Sequence, residues 1–365
     1  MNVFIIGVGV HSAATALNNL RLEEIGYKTA RSAMDDAGIS QKEIDHVTLA
    51  ACDELDGRSI SSMVMAVPSG AYLKDEMRVT DSGLSGLQLG AMRIASGDLD
   101  IGLVVSWNQT SIGPMENIAL MRAEPFYTRP IGLNFSISDA LFANAYAQKY
   151  GIDELTAAQR VMARLEDARK NTRAVITAPM SLDDIVSSQP IAHPLRAGHR
   201  APVTDGAVAM VLASGDWLKA NPQVKPLARI AGSSWAVDRY QFDAQRLAGL
   251  GLFRDCLADV LKRSEISSIE QIDVVELEAQ TAWYDIAFTQ ALGSPANTSI
   301  NPSGGAWAQN PFFCTGLLNS VEAVWQVSGR AGNHQVQGAK YAMAHSTWGF
   351  AQQAHGFMVF EGVQQ

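Results

Sequence analysis

The feature that most constrains this chain is an internal rhyme. Ile44-Asp-His-Val-Thr-Leu49 returns in the second half as Ile272-Asp-Val-Val-Glu-Leu277, each time behind a helical pattern and each time entering a polar loop. A β-branched run repeated in such a setting, at far greater spacing than a solenoid repeat, calls for two similar α/β units packed against each other. The surrounding pattern agrees. In the first half strands are expected at residues 3–7, 44–50 and 101–106, with helices at 20–37 and 86–96 and a stop at Gly38. That order, β, α, β, α, β, implies parallel strands with crossover helices. In the second half helices are expected at 251–263, 283–292 and 316–327, around a strand at 272–277 and a closing strand at 356–361. Residues 1–225 are thus read as an N-terminal half and 226–365 as a C-terminal half. About residues 108–191, with a charged helix at 156–171, form an insertion in the first half that covers the site between them.

With 365 residues and 47% hydrophobic content, the chain can bury a large core. A formal charge of −9 argues against nucleic acid or an anionic membrane as partner. No apolar run has transmembrane length, and the opening run 1–9 reads as a buried first strand, not a signal peptide. Cys52, Cys256 and Cys314 lack metal-ligand spacing and suit a reducing cytoplasm. Gly7-Val-Gly9 lacks the third glycine and the ribose-binding acid of a dinucleotide fingerprint, so a nicotinamide cofactor is not supported.

Four stretches carry a family resemblance: Val79-Thr-Asp-Ser-Gly-Leu-Ser-Gly-Leu-Gln88, Ile191-Ala-His-Pro-Leu-Arg196, Pro202-Val-Thr-Asp-Gly-Ala-Val-Ala-Met-Val-Leu-Ala-Ser214 and Asn301-Pro-Ser-Gly-Gly305. Together they resemble the thiolase superfamily, and most closely its sterol-carrier-protein-associated, lipid-transfer-protein branch. The resemblance implies a duplicated five-layered α/β/α/β/α subunit, usually a dimer, with an acyl-CoA site where four loops meet. It specifies fold better than reaction.

At nearly all of those loops this sequence departs from the pattern. Gly83 stands where the resemblance puts the nucleophilic cysteine, and a glycine cannot form a thioester. Glu278 stands at an Asn or His position, Asn310 replaces the His before Pro311, and His345 lies near the final base. An ionised Glu278 would repel a thioester oxyanion, whereas a desolvated one exchanges protons near neutrality; a buried Glu that only holds its loop is the equal alternative. Asn310 either donates to a carbonyl or caps a helix ahead of Pro311. His345 is either an acid–base group or structural. Cys314 and Ser82 are the surrogate nucleophiles to consider, against packing roles for both. Cys52 precedes an acidic cluster read as a solvated loop. Tyr127, Tyr284 and Asp285 are further acids that helix packing would explain equally well.

The leading expectation is a protein that makes or breaks a carbon–carbon bond beside an acyl-CoA thioester by acid–base, retro-aldol chemistry, as cysteine-free thiolase-like aldolases do. Glu278 or His345 would be the base and Asn310 would assist the carbonyl. No cofactor is bound covalently; coenzyme A enters as the substrate thioester. A second expectation, from another class, is an inactive structural or regulatory subunit paired with a cysteine-bearing homologue. Conventional acyl transfer through Cys314 or Ser82 ranks last. The resemblance also implies a homodimer or heteromer, and a small zinc-ribbon and OB-fold protein as a partner.

Overall fold

A computed structural model describes residues 2–175 and 180–363; positions 176–179 of the expected insertion lie outside the described residues. The first half contributes strands β1 (Val3–Ala14), β2 (His46–Ala50), β3 (Asp75–Val79) and β4 (Ile101–Asn108), a small hairpin β5 (Pro190–Ala192) and β6 (Leu195–Arg196), and β7 (Asp205–Ser214). The second half contributes β8 (Ala228–Val237), β9 (Val274–Glu276), β10 (Ser299–Ile300), β11 (Tyr341–Trp348) and β12 (Ala354–Gly362). Their order is β10-β9-β11-β12-β8-β1-β7-β4-β2-β3. Strand pairing joins the two five-stranded halves of the sheet where Phe4 pairs with Arg229 and Ile5 with Ala228.

Topology makes the rhyme concrete. In each half three strands run parallel, β3-β2-β4 and β10-β9-β11, and the next strand is antiparallel to them. The repeated stretches form β2 and β9, each second from its edge. The sheets are therefore mixed, not wholly parallel as the alternation suggested. Strand β7, which returns after the long β4–β7 connection, pairs antiparallel with both β1 and β4.

Five layers result. The Leu22–Ala37 helix covers the first sheet from outside, and its C-cap Gly38 adopts φ 68°, the left-handed turn that a glycine stop supplies. This helix lies so close to β1 that a Cβ at Gly7 would sit 2.4 Å from the Ala33 carbonyl oxygen, and one at Gly9 2.4 Å from that of Thr29. Those glycines thus serve close helix–strand packing. The Gly83–Ala95 and Thr315–Val327 helices form the central layer, sharing a core that includes Leu84, Leu87, Leu317 and Val321. Gly251–Arg263 and Ala282–Ala291 cover the second sheet around Phe253, Trp283 and Phe288. No described helix is long and apolar enough to cross a membrane.

Candidate active site

A cleft of about 240 Å³ opens where the two halves and the β4–β7 connection meet. Its polar lining includes Thr80, Ser82, Asp139, Arg200, Glu278 and Gln280, and an apolar wall is made by Phe135, Phe312, Phe313, Trp348 and Phe350. The loop after β9 supplies the central carboxyl. Asn301, at φ 51°, clamps this loop: its Oδ1 accepts from the Leu277 N–H at 2.5 Å and its Nδ2 donates to the Leu277 carbonyl at 3.2 Å. The next residue is Glu278.

Glu278 is 5% exposed. Its Oε2 accepts from the Ser346 hydroxyl at 2.7 Å and the Thr347 N–H at 3.4 Å, and its Oε1 from the Gln280 amide at 3.3 Å. Burial, only partly offset by these neutral donors, pushes its pKa up to about 7. A carboxyl in that state donates or accepts a proton near neutrality. Behind it, Gln280 Oε1 accepts from Asn310 Nδ2 at 2.7 Å, and Asn310 Oδ1 accepts from the Thr315 hydroxyl at 2.9 Å. A hydrogen-bonded relay thus runs from Thr315 through Asn310 and Gln280 to Glu278. Asn310 is fully buried and faces the relay, so it neither lines the cleft nor caps a helix. The relay amide that meets the cleft is Gln280, which the sequence did not single out.

Gly83 is the first residue of the Gly83–Ala95 helix, with Ser82 as N-cap accepting from the Ser85 N–H at 3.1 Å. A Cβ at Gly83 would lie 2.8 Å from Leu317 Cβ and 3.1 Å from Ser106 Oγ. The space for a side chain here is already taken. Ser82 reaches the cleft, but its hydroxyl bonds to the N–H and the Oγ of Ser85, each at 3.1 Å, and neither is a base. Cys314 is fully buried at the start of the central Thr315–Val327 helix, off the cleft lining, and burial pushes its thiol well above the ordinary value. A neutral, enclosed thiol is a poor nucleophile.

His345 corrects the sequence reading most sharply. It lies within β11, not in a loop, and strand alternation turns it with Met343 toward the outer core while Ser346 faces the helices. There it is fully buried, its Nε2 lies 3.0 Å from His355 Nδ1, and Phe253, Phe288 and Phe357 surround it. Burial and the neighbouring imidazole hold its pKa well below the usual value. It does not line the cleft.

The remaining candidates are placed as follows. Cys52 donates to Glu54, accepts from Arg122 at 2.6 Å, and is raised to about 11, chiefly by burial. The acidic loop beside it is solvated only in part: Glu54 is exposed, Asp53 accepts from Arg78, the Ser61 N–H and the Ser61 hydroxyl, and Asp56 is buried. Asp285 is buried against the Arg164 guanidinium, with Nε at 2.7 Å and Nη2 at 3.1 Å, an ion pair of the core. Tyr127 is 80% exposed and off the cleft lining. Tyr284 is buried and donates to Asp139 Oδ1 at 2.8 Å. Asp139 was missed because it sits mid-helix with no motif around it, and its partner is distant in sequence.

A duplicated five-layered fold with its cleft at the ends of matching strands defines a class, and comparison with known proteins gives it a family. The model of the thiolase N-terminal domain matches residues 6–174, and that of the thiolase C-terminal domain matches residues 259–361. The chain belongs to the thiolase superfamily, and sterol carrier proteins and a lipid-transfer protein are among the proteins it is similar to. It is 27% identical to the acetyl-CoA acetyltransferase of Methanothermobacter thermautotrophicus over 87% of this chain and 88% of that protein. It is 24% identical to sterol carrier protein 2 of Gallus gallus, over 94% of this chain and 69% of that one. The solved structure of the Ltp2-ChsH2(DUF35) aldolase superposes with a TM-score of 0.82 at 18% identity, covering all of this chain and 98% of that one.

Proposed function

We propose that this protein makes or breaks a carbon–carbon bond next to an acyl-CoA thioester by proton transfer, without an acyl-enzyme. One observation carries the reading: a buried carboxyl poised to titrate near neutrality faces the cleft, while the helix start beside it, where the family resemblance puts a cysteine, is a glycine hemmed in by Leu317. Glu278 is then the proton-exchanging group at the thioester end. In its neutral form it donates to the developing enolate instead of repelling it, which removes the objection to a charged group at this place. Gln280 orients it, and Asn310 holds Gln280. The fold shared with an aldolase complex supports the same chemistry.

The test is direct. With 3-hydroxy-3-phenylpropionyl-CoA, cleavage releases benzaldehyde and acetyl-CoA, read by absorbance and chromatography. Turnover lost in Glu278→Gln supports the reading; turnover unchanged in that variant, or alkylation of Cys314 or Ser82 in the wild-type chain by a chloromethyl-ketone acyl analogue, overturns it.

The partner reading is a homodimer or a heteromer in a reducing cytoplasm. The unpaired edge of β3, flanked by exposed Tyr72, Leu73 and Met77, supports pairing with a second chain. The DUF35 component named in the neighbouring aldolase supports a small partner protein for this chain as well. The crowded Gly83 corner also favours a second reading, an inactive subunit beside a cysteine-bearing homologue. Purification with native partners separates the two: a homodimer, or a complex lacking such a homologue, that cleaves the thioester leaves the lyase reading, and a cysteine-bearing thiolase chain at equal stoichiometry leaves the subunit reading.

A further inference from the structure

A second buried carboxyl faces the same cleft, and the role given to Glu278 leaves it without a task. Asp139 lies in the Phe135–Tyr150 helix and is 7% exposed. Its Oδ1 accepts from the Tyr284 hydroxyl at 2.8 Å. Tyr284 is fully buried in the Ala282–Ala291 helix, which begins just after the Glu278 loop. Arg200 lines the cleft beside Asp139 and donates to Glu116 at 3.1 Å and to Ser136 at 2.8 Å. The backbone ties these parts together, because Arg200 bridges to Thr281 and the Ala201 N–H donates to the Gln280 carbonyl at 3.0 Å. One frame therefore supports two carboxyls of different electrostatic character. Neutral donors hold Glu278, whereas the charge of Arg200 favours an ionised Asp139.

Resting on the acid–base reading of this cleft, we infer that Asp139 is the base that removes the β-hydroxyl proton of a β-hydroxyacyl thioester, with Tyr284 as its positioning residue. The step balances within the cleft. Asp139 takes the hydroxyl proton, the O–H pair becomes the second bond of the new carbonyl, and the Cα–Cβ bond breaks with its electron pair passing into the thioester enolate. Glu278 then gives its proton to Cα, releasing the acetyl thioester. The site resets when Asp139 loses its proton to water and Glu278 regains one. The ionisations fit this division. Burial raises Asp139 only to about 6, with Arg200 and Tyr284 opposing the rise and Glu116 adding to it, while Glu278 reaches about 7. The charged Arg200 favours ionisation of the first, while the second has only neutral donors and holds its proton more readily, as in other sites where environments push two carboxyls apart.

The pH dependence of kcat/KM for 3-hydroxy-3-phenylpropionyl-CoA tests the assignment. The wild type should show an acid limb near pH 6 and a basic limb near 7, values that belong to the coupled pair. Asp139→Asn should lose about 10²–10⁴-fold in kcat and lose the acid limb. Tyr284→Phe should retain measurable activity and move the acid limb to higher pH, since the missing hydroxyl stabilised the carboxylate. An Asp139→Asn enzyme with near wild-type rate and an intact acid limb overturns the inference; if Glu278→Gln is dead in the same assay, the acid–base reading survives without it. Should Asp139→Asn fail to fold, an acid limb unmoved in Tyr284→Phe overturns it equally. A wild type that cleaves nothing sinks both.

Discussion

The loops that follow β2 and β9 are the same place in the two halves, and each holds a carboxyl that burial has pushed up to about 7. Their surroundings differ. Asp56, after β2, accepts from the Trp107 indole at 2.7 Å and is off the cleft lining; its neighbour Leu55 faces the cleft instead. Glu278, after β9, keeps its hydrogen bonds and lines the cleft. A raised pKa therefore marks desolvation, and only access to a ligand turns desolvation into chemistry. The duplication has specialised by opening one arm and sealing the other.

The largest expected effect breaks this comparison if it fails. Glu278→Gln should lower kcat about 10²–10⁴-fold, while Asp56→Asn, which keeps an acceptor for Trp107, should leave kcat within a few-fold of wild type. Comparable losses in both variants would erase the distinction between open and sealed arms. Next in size is His345→Ala. Deleting a fully buried ring among Phe253, Phe288 and Phe357 should cost about 2–5 kcal/mol of stability, with kcat little changed in the folded fraction. Denaturant unfolding beside kinetics checks it; a lost kcat at unchanged stability would return His345 to the site. Smaller again is Gly83→Cys. The new Cβ crowds Leu317, an overpacking that costs about 1–3 kcal/mol. No acyl adduct should form, and adding Leu317→Ala, which keeps the crowding Cβ, should not recover the loss. A stable Gly83→Cys protein that forms the adduct would show the corner to be roomy.

Much of this was legible in the sequence, and the limits have physical causes. Strands β2 and β9 were readable because fully buried β-branched runs leave a strong pattern. Strand β3, Asp75–Val79, was invisible because its exposed edge position permits charged residues where a strand signal would lie. The Ala344-His-Ser-Thr-Trp348 stretch of β11 looked like a loop because His345 bonds through Nε2 to a second histidine and Ser346 to Glu278, partners that no local window contains. The family resemblance pointed to Glu278, which lines the cleft, and to Gly83, which begins a helix off the lining. It could not say that Gln280 would take the cleft-facing place expected of Asn310, since that depends on a relay joining segments distant in sequence.

The smallest effect concerns a carboxyl with no cleft at all. Glu276, two residues before Glu278, is fully buried on β9, accepting from the Ser303 hydroxyl at 2.7 Å and its N–H at 3.4 Å. Burial, with repulsion from Glu322, raises it to about 8. Arg173 is committed to Glu322 through two 2.9 Å bonds, and His334 makes a third contact there at 2.9 Å. Because the folded-state pKa lies above the unfolded one, folding favours the protonated form. That contribution is complete below the ordinary carboxyl range and is lost as pH rises through about 8. Glu276→Gln removes the titration, so its Tm should match wild type near pH 4 and exceed it by a few degrees near pH 8.5, as a change of roughly 1 kcal/mol or more would produce in a domain of this size. Parallel Tm curves for the two proteins across that range would mean that Glu276 ionises freely in the fold, and that enclosure alone does not separate it from Glu278.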